Sequence, residues 1–596
     1  DEMRRRLKQV ALGEVSPDVL IVDARLLNVY SGEIIDGCQV AVAEGCIAWV
    51  GRGKRLSGPG TRIIDAGGAY LSPGFIDVHG HADFLVSPVE LAKAIVPLGT
   101  TAMLSDTHDI GGALGRLGLE IMIRSTEDLP FHYFLTVPAH CPPLPEIEGR
   151  DLLPLSEFRD FLGHPRVLAV SELTAWTRLL AEDVELTEKI DAAREAGLRL
   201  EGHTAGCSFD KLAALAGLGI TSCHESVSAE DVLHRLRLGF ATVLRHGSIR
   251  ADLDVLSTAI TANPDLDTAR VMLTPDWMSP QDVVAHGYME SVVEKAIACG
   301  IPPIRAYQMA TINPATYLRI DHRLGGIGPG READLIICED LEHPRPRLVM
   351  VGGKVVAEDG LIKERFPSFP KVKVLDWPSH RVPPLPVTPA AFALRKPETV
   401  VDDGGEFTAV HMVNKTVTRP LQVAVAVTDG FMDENRGRCI AGVLEGEQVE
   451  LMYLSLWSQL RHRWLTVPLS GWGAPVGGLA ATVVHETHAP LVLGSSPQDM
   501  ALAVNRMFEI GGGIVLVEEG KVQLEMILEC GGLLSTEPLE HVAAEMTAIN
   551  RYLQERGCPW DDPFFGMNFL TFTGLPFIRL TPSGLLDSKT GLLGYP

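Results

Sequence analysis

At 596 residues the chain is too long for one compact core, and its length points to two to four domains. The composition is that of an ordinary soluble globular protein, 46% hydrophobic and 21% charged. The formal net charge of -24 argues against a nucleic-acid backbone or an anionic membrane as partner, since both reward Lys/Arg patches, and a small neutral or cationic molecule fits better.

The amino terminus, "DEMRRRLKQVALGEVSPDVL", lacks the apolar core of an export signal. Ten cysteines with no C-x-x-C pair fit a reduced, cytoplasmic protein. From residue 18 to 72, short β-rich runs such as "VLIVDARLLNVYSGEII" alternate with turns, so residues 1–72 are read as the first part of a small β-sandwich. Over 73–322 the texture changes to apolar strands alternating with helical segments, as in "VELAKAIVPLGTTAMLSD" and "TEKIDAAREAGLRLEGHTAG". That alternation predicts an α/β fold, a (β/α)8 TIM-like barrel with its chemistry at the carboxyl ends of the strands.

After "PGREADLIICED" β-rich texture returns, so residues 323–380 are expected to complete the sandwich into which the barrel is inserted. The proline-rich "RVPPLPVTPAAFALRKP" (381–397) reads as a linker. Residues 398–596 are read as a C-terminal α+β domain. Within it "EIGGGIVLVEEGK" has no Gly-Lys-Ser/Thr to make a phosphate loop and reads as a helix cap or hairpin. "VPLSGWGAPVGGLAATVV" is broken by Gly, Pro and Ser and reads as core strands, not a membrane span.

Polar residues collect at the strand ends. "PGFIDVHGHADF" places His79 and His81 two apart, on one face of a strand, able to share an ion; Gly80 between them marks a crowded point. "SDTHDI" supplies His108 and Asp109 near the second strand. Glu172 follows an apolar run assigned to the fourth, His203 and His224 the fifth and sixth, and Asp276 the eighth. Any one of these, taken singly, is most simply a hydrogen-bonded core residue. Four histidines and two carboxylates converging on one barrel mouth suit two divalent transition ions.

These residues also carry a family resemblance. "PGFIDVHGHAD", "EGHTAG", "SCHES", "MATINPA" and "GIGPGREADL" resemble the amidohydrolase superfamily. "SDTHDIGGALG", "TVVHETHAP" and "MALAVNRMFEIGGGIVLVEEGK" resemble, more narrowly, the bacterial adenine deaminases, over nearly the whole chain. The resemblance implies a metal centre of two ions (Mn, Fe or Zn) held by His79, His81, His203, His224 and Asp276, with Glu172 bridging. It implies a water acidified there, attack at C6 of a purine base, and Asp276 shuttling the proton to the departing amine. The products would be hypoxanthine and ammonia, a purine-salvage reaction.

Asp83, His108, Asp109, Arg245, His485 and His488 are candidates for contacting the purine or orienting ligands; Arg245 reads equally as a structural ion pair, and the late histidines as a cap or a further ion site. His140 and Cys141 read as part of a proline-rich turn. The chain departs from the family in having Asp83-Phe84 where Glu-Ser is common, and Asp276-Trp277 where two aspartates are common. Those departures bear on substrate, keeping in view an N6-substituted adenine and a cyclic or acyl amide. A non-catalytic scaffold has no physical need for six converging donors. A homo-oligomer, a dimer, is the expected assembly, without nucleic-acid or membrane partners.

Overall fold

The computed structural model describes residues 2–53, 57–396, 399–400 and 405–594. Eight parallel strands form its centre: Phe75–Gly80, Thr100–Ser105, His132–Val137, Val167–Leu173, Arg199–Gly202, Ser222–Cys223, Ala241–Arg245 and Val271–Thr274. The first five and the last three are laddered in sequence order. Between the two ladders the Thr221 amide donates to the Leu200 carbonyl at 2.9 Å, and a parallel bridge from Gly80 to Asp276 joins the eighth strand to the first. The barrel is therefore closed. Its strands are apolar on both faces because helices cover one and a filled interior the other; Ile76, Ala102, Phe134, Ala169, Val243 and Met272 share one apolar cluster with Tyr317 and Leu324.

Strands on either side of the barrel in sequence build a second body. Ser72 pairs antiparallel with Ile336, so the segment before the barrel hydrogen-bonds to the segment after it. The two halves of the expected sandwich form one continuous nine-stranded sheet, curled over Ile21, Val40, Ile47, Leu71, Ile337 and Met350. Gly74, which leads from it into the barrel, has Thr101 side-chain atoms where a Cβ would stand, the nearest 2.3 Å away.

The C-terminal region is a ten-stranded sheet with the helix Pro497–Glu509 against it. Gly511 and Gly512 end that helix: both have positive φ, 89° and 101°, and their amides return to the Phe508 and Met507 carbonyls. The triple glycine is a helix stop. A strand pairing and a helix contact are among the links that fix this domain on the barrel. Leu534–Ser535 pairs parallel with Leu85–Val86, just beyond the first barrel strand. The helix Leu539–Glu555 packs on the barrel helix Pro280–His286.

The proline-rich stretch joins the two bodies as a packed seam rather than a free tether. Phe392 and Leu394 are buried. Arg381 is buried too, its guanidinium 4.5 Å over the Trp377 ring and donating to the carbonyls of His488 (2.8 Å), Gly531 (2.9 Å), Thr482 (3.2 Å) and Ala113 (3.3 Å). The expected boundary at 397/398 lies outside the described residues. No helix among the described residues is long and apolar enough to cross a membrane.

Candidate active site

The first strand delivers His79 and His81 to the barrel mouth. The eighth delivers Asp276, whose left-handed backbone (φ 64°) turns its carboxylate inward; aspartate tolerates this conformation better than most residues. Asp276 Oδ1 lies 3.1 Å from His81 Nε2 and 3.6 Å from His79 Nε2. On the opposite side Glu172, ending the fourth strand, has Oε2 at 2.6 Å from His203 Nδ1 and 3.1 Å from His224 Nε2, and Oε1 at 3.7 Å from His81 Nε2. Glu172 thus stands between the two histidine pairs. Burial works against ionising Glu172 and Asp276. Even so, His203 beside Glu172, and His79 and His81 beside Asp276, hold both carboxyls well below the usual carboxylate range.

A layer of supports fixes these groups. Thr274 Oγ1 lies 2.6 Å from both Asp77 Oδ1 and the His79 carbonyl, and the Tyr288 hydroxyl donates to Asp77 Oδ2 at 2.7 Å. Burial pushes the Asp77 carboxyl up to about 6, against those hydrogen bonds. Gly80 is crowded by the protein itself: a Cβ would lie 2.6 Å from Asp77 Oδ2 and 2.9 Å from Met103 Sδ. Replacing Thr274 with valine removes one of the donors to Asp77 and loosens the His79 carbonyl; the expected outcome is an about ten- to hundredfold weaker metal affinity in competition with a chelator.

Arg245, at the seventh strand end, places one nitrogen 2.6 Å from Asp276 Oδ2 and 2.5 Å from Glu225 Oε1. It is an ion pair that holds Asp276, so of its two sequence readings the structural one describes its contacts. His108 turns Nδ1 to Asp106 (3.0 Å) and Nε2 toward Asp109 (3.4 Å). Asp83 accepts the Ile110 amide at 2.9 Å and anchors the turn carrying Asp109. His488 and His485 of the late domain come within 3.0 and 3.5 Å of Asp109 Oδ1. His140 and Cys141 are buried and do not line the site's cavity.

Sequence reading missed Glu225, Asp106 and Asp77. All three lie inside the motifs it used, beside the histidines, and a strand-end carboxylate next to a ligand histidine was the available signal. It also missed the roof. A cavity of about 500 Å³ lies over the mouth, with His81, Glu172, His203 and Asp276 on its floor and Trp277, Phe565, Phe569 and Phe572 on its walls. That is within the roughly 300–1,000 Å³ of small-molecule sites. Trp277 and Phe565 stack at 5.0 Å, barrel residue on late-domain residue, and Phe565 and Phe569 meet edge to face at 4.4 Å.

The donor set fits divalent metal. Both ring nitrogens of His79, Nδ1 of His81 and Nε2 of His224 are buried without a hydrogen-bond partner, a costly state unless an ion takes them. The donors of His79, His81 and Asp276 lie within 4.8 Å of one another, and so do those of His79, Glu172 and His224.

Comparison with known proteins agrees with this chemistry. Residues 70–356 match the amidohydrolase family and residues 415–591 the adenine deaminase C-terminal domain. The protein is a hydrolase of the metal-dependent amidohydrolase class. Along 98% of its length it is similar to an adenine deaminase of Moorella thermoacetica (35% identity, 97% of that protein covered) and to one of Cenarchaeum symbiosum (33%, 93% covered). The chain belongs to the adenine deaminase family. Among solved structures, a beta-aspartyl dipeptidase of Fervidobacterium islandicum aligns over 59% of this chain and 99% of that one, at 18% identity and a TM-score of 0.47.

Proposed function

We propose that the protein hydrolyses adenine to hypoxanthine and ammonia at the barrel mouth, with two divalent transition ions resident there. The observation that carries this reading is the placement of Asp276, which meets His79, His81 and Arg245 on the floor of a cavity walled by aromatic rings. His79, His81 and Asp276 would hold one ion and His203 and His224 the other, with Glu172 between. When bound, the ions supply a water acidified to near neutrality.

The chain's own residues do the rest. Asp276 carries the proton from the attacking water to the amine leaving C6, a task for a carboxylate within hydrogen-bond reach of both. Arg245 fixes the orientation of Asp276 and, behind His79 and His81, helps to keep it anionic. Trp277, Phe565, Phe569 and Phe572 offer apolar rings to the purine and displace water from around it. Loss of one aromatic wall, in Phe565→Leu, is expected to raise KM for adenine about two- to tenfold with kcat nearly unchanged, in steady-state kinetics.

The test is ammonia release with product identification from metal-loaded protein, offered adenine, N6-methyladenine, adenosine and a cyclic amide in parallel. Hypoxanthine from adenine, abolished by chelator dialysis and restored by added metal, is expected. Turnover of the cyclic amide alone would refute adenine as substrate.

A further inference from the structure

Beside the mouth, three histidines from two domains gather around the Asp109 carboxylate. Asp109 and His108 open the barrel helix His108–Leu114; His485 and His488 come from a loop of the late domain. His108 Nε2 lies 3.4 Å from Asp109 Oδ2, and His485 Nδ1 and His488 Nε2 lie 3.5 and 3.0 Å from Asp109 Oδ1. The donors of His108, Asp109 and His485 all lie within 4.8 Å of one another. Donors about 2.0–2.1 Å from a tetrahedral ion sit roughly 3.3 Å apart, which the three distances from Asp109 to the histidines approach.

A mere hydrogen-bonded cluster is a poor description of this place. His488 is fully buried, yet neither of its ring nitrogens has a hydrogen-bond partner, and the 3.0 Å approach to Asp109 lacks hydrogen-bond geometry. His108 Nε2 is likewise buried and unpartnered, while its Nδ1 is committed to Asp106 on the other side. The barrel helix makes room for the His488 ring only because residue 112 is glycine: a Cβ there would stand 2.7 Å from His488 Cδ2. Buried acids lie close by: Asp83 accepts the Ile110 amide, the Glu486 amide donates to Asp109 Oδ1 at 3.4 Å, and burial pushes the Asp83 and Glu486 carboxyls up to about 7 and about 8. Arg381, next to it, directs its donors to carbonyl groups instead.

We infer that His108, Asp109, His485 and His488 form a further divalent-cation site, at the edge of the cavity that Asp109 and His485 also line, and that it fastens the late domain to the barrel. Three imidazoles and one carboxylate are donors that suit a divalent ion such as zinc, and four protein ligands would fill a tetrahedral shell. The site is independent of the deaminase reading: it concerns how the roof is held, whichever amide the mouth cleaves.

The test is ion counting on full-length apoprotein reloaded with zinc, by elemental analysis and native mass spectrometry. Three zinc ions per chain are expected, and two in His485→Asn, a change at a residue still partly exposed. A zinc count in His485→Asn equal to that of the wild type overturns the inference, whatever number the mouth itself holds. A second measurement needs only the wild-type chain. The third zinc equivalent should protect His485 from diethyl pyrocarbonate; labelling that is equal with two and three equivalents overturns the site. Neither readout depends on adenine turnover, so failure here is distinct from failure of the proposed reaction.

Discussion

Asp276→Asn is expected to lower kcat for adenine by about 10²–10⁴-fold, the range that removal of a positioned proton carrier produces. The substitution isolates charge. Asparagine keeps the shape of the side chain and is among the few residues that tolerate the left-handed backbone seen at this position (φ 64°). What it loses is the anion that faces His79 and His81 on one side and Arg245 on the other. An amide can neither accept the water's proton nor return one to the leaving nitrogen. Hypoxanthine formation under single-turnover conditions, with the ion content of the variant measured alongside, separates loss of the proton carrier from loss of metal. A decrease smaller than tenfold in protein that retains its ions would remove Asp276 from the chemistry.

The largest effect on stability is expected from Arg381→Met. Methionine fills much of the volume and keeps an apolar contact with Trp377, but four buried carbonyls lose their donor. An unpaired buried acceptor costs about 1–3 kcal/mol, and partial compensation among the four leaves a loss of at least about 3 kcal/mol. The carbonyls come from the barrel (Ala113) and from three places in the late domain (Thr482, His488 and Gly531), so the damage concentrates where the two bodies meet. The first unfolding transition in urea should shift to lower concentration while later ones hold, since a chain of this size need not unfold in one step. A loss below about 1 kcal/mol would mean that the carbonyls find other partners.

The barrel and its six strand-end donors were legible because each signal is local. Apolar runs alternating with helical periodicity mark the strands, and a histidine or acid at the end of such a run marks the mouth. Features built from distant stretches were not. Glu225 follows His224 directly, yet its meaning comes from Arg245, which only the barrel brings to it. The aromatic roof joins Trp277 to residues 565–572, and no periodicity links them. Arg381 sits among prolines, where composition suggests an exposed tether; its burial comes from carbonyl groups supplied by loops on both sides. The register that joins the two halves of the sandwich has the same origin, since the pairing of Ser72 with Ile336 spans the entire barrel.

The short ladder between Leu85–Val86 and Leu534–Ser535 sets an order of assembly. A ribosome delivers residues 85–86 early and residues 534–535 near the end, and domains tend to fold as they emerge. The segment just past the paired histidines therefore waits, its strand edge open, through the synthesis of the barrel and of most of the late domain. Because the wall residues Phe565, Phe569 and Phe572 come later still, the mouth can be covered only after nearly the whole chain has been made.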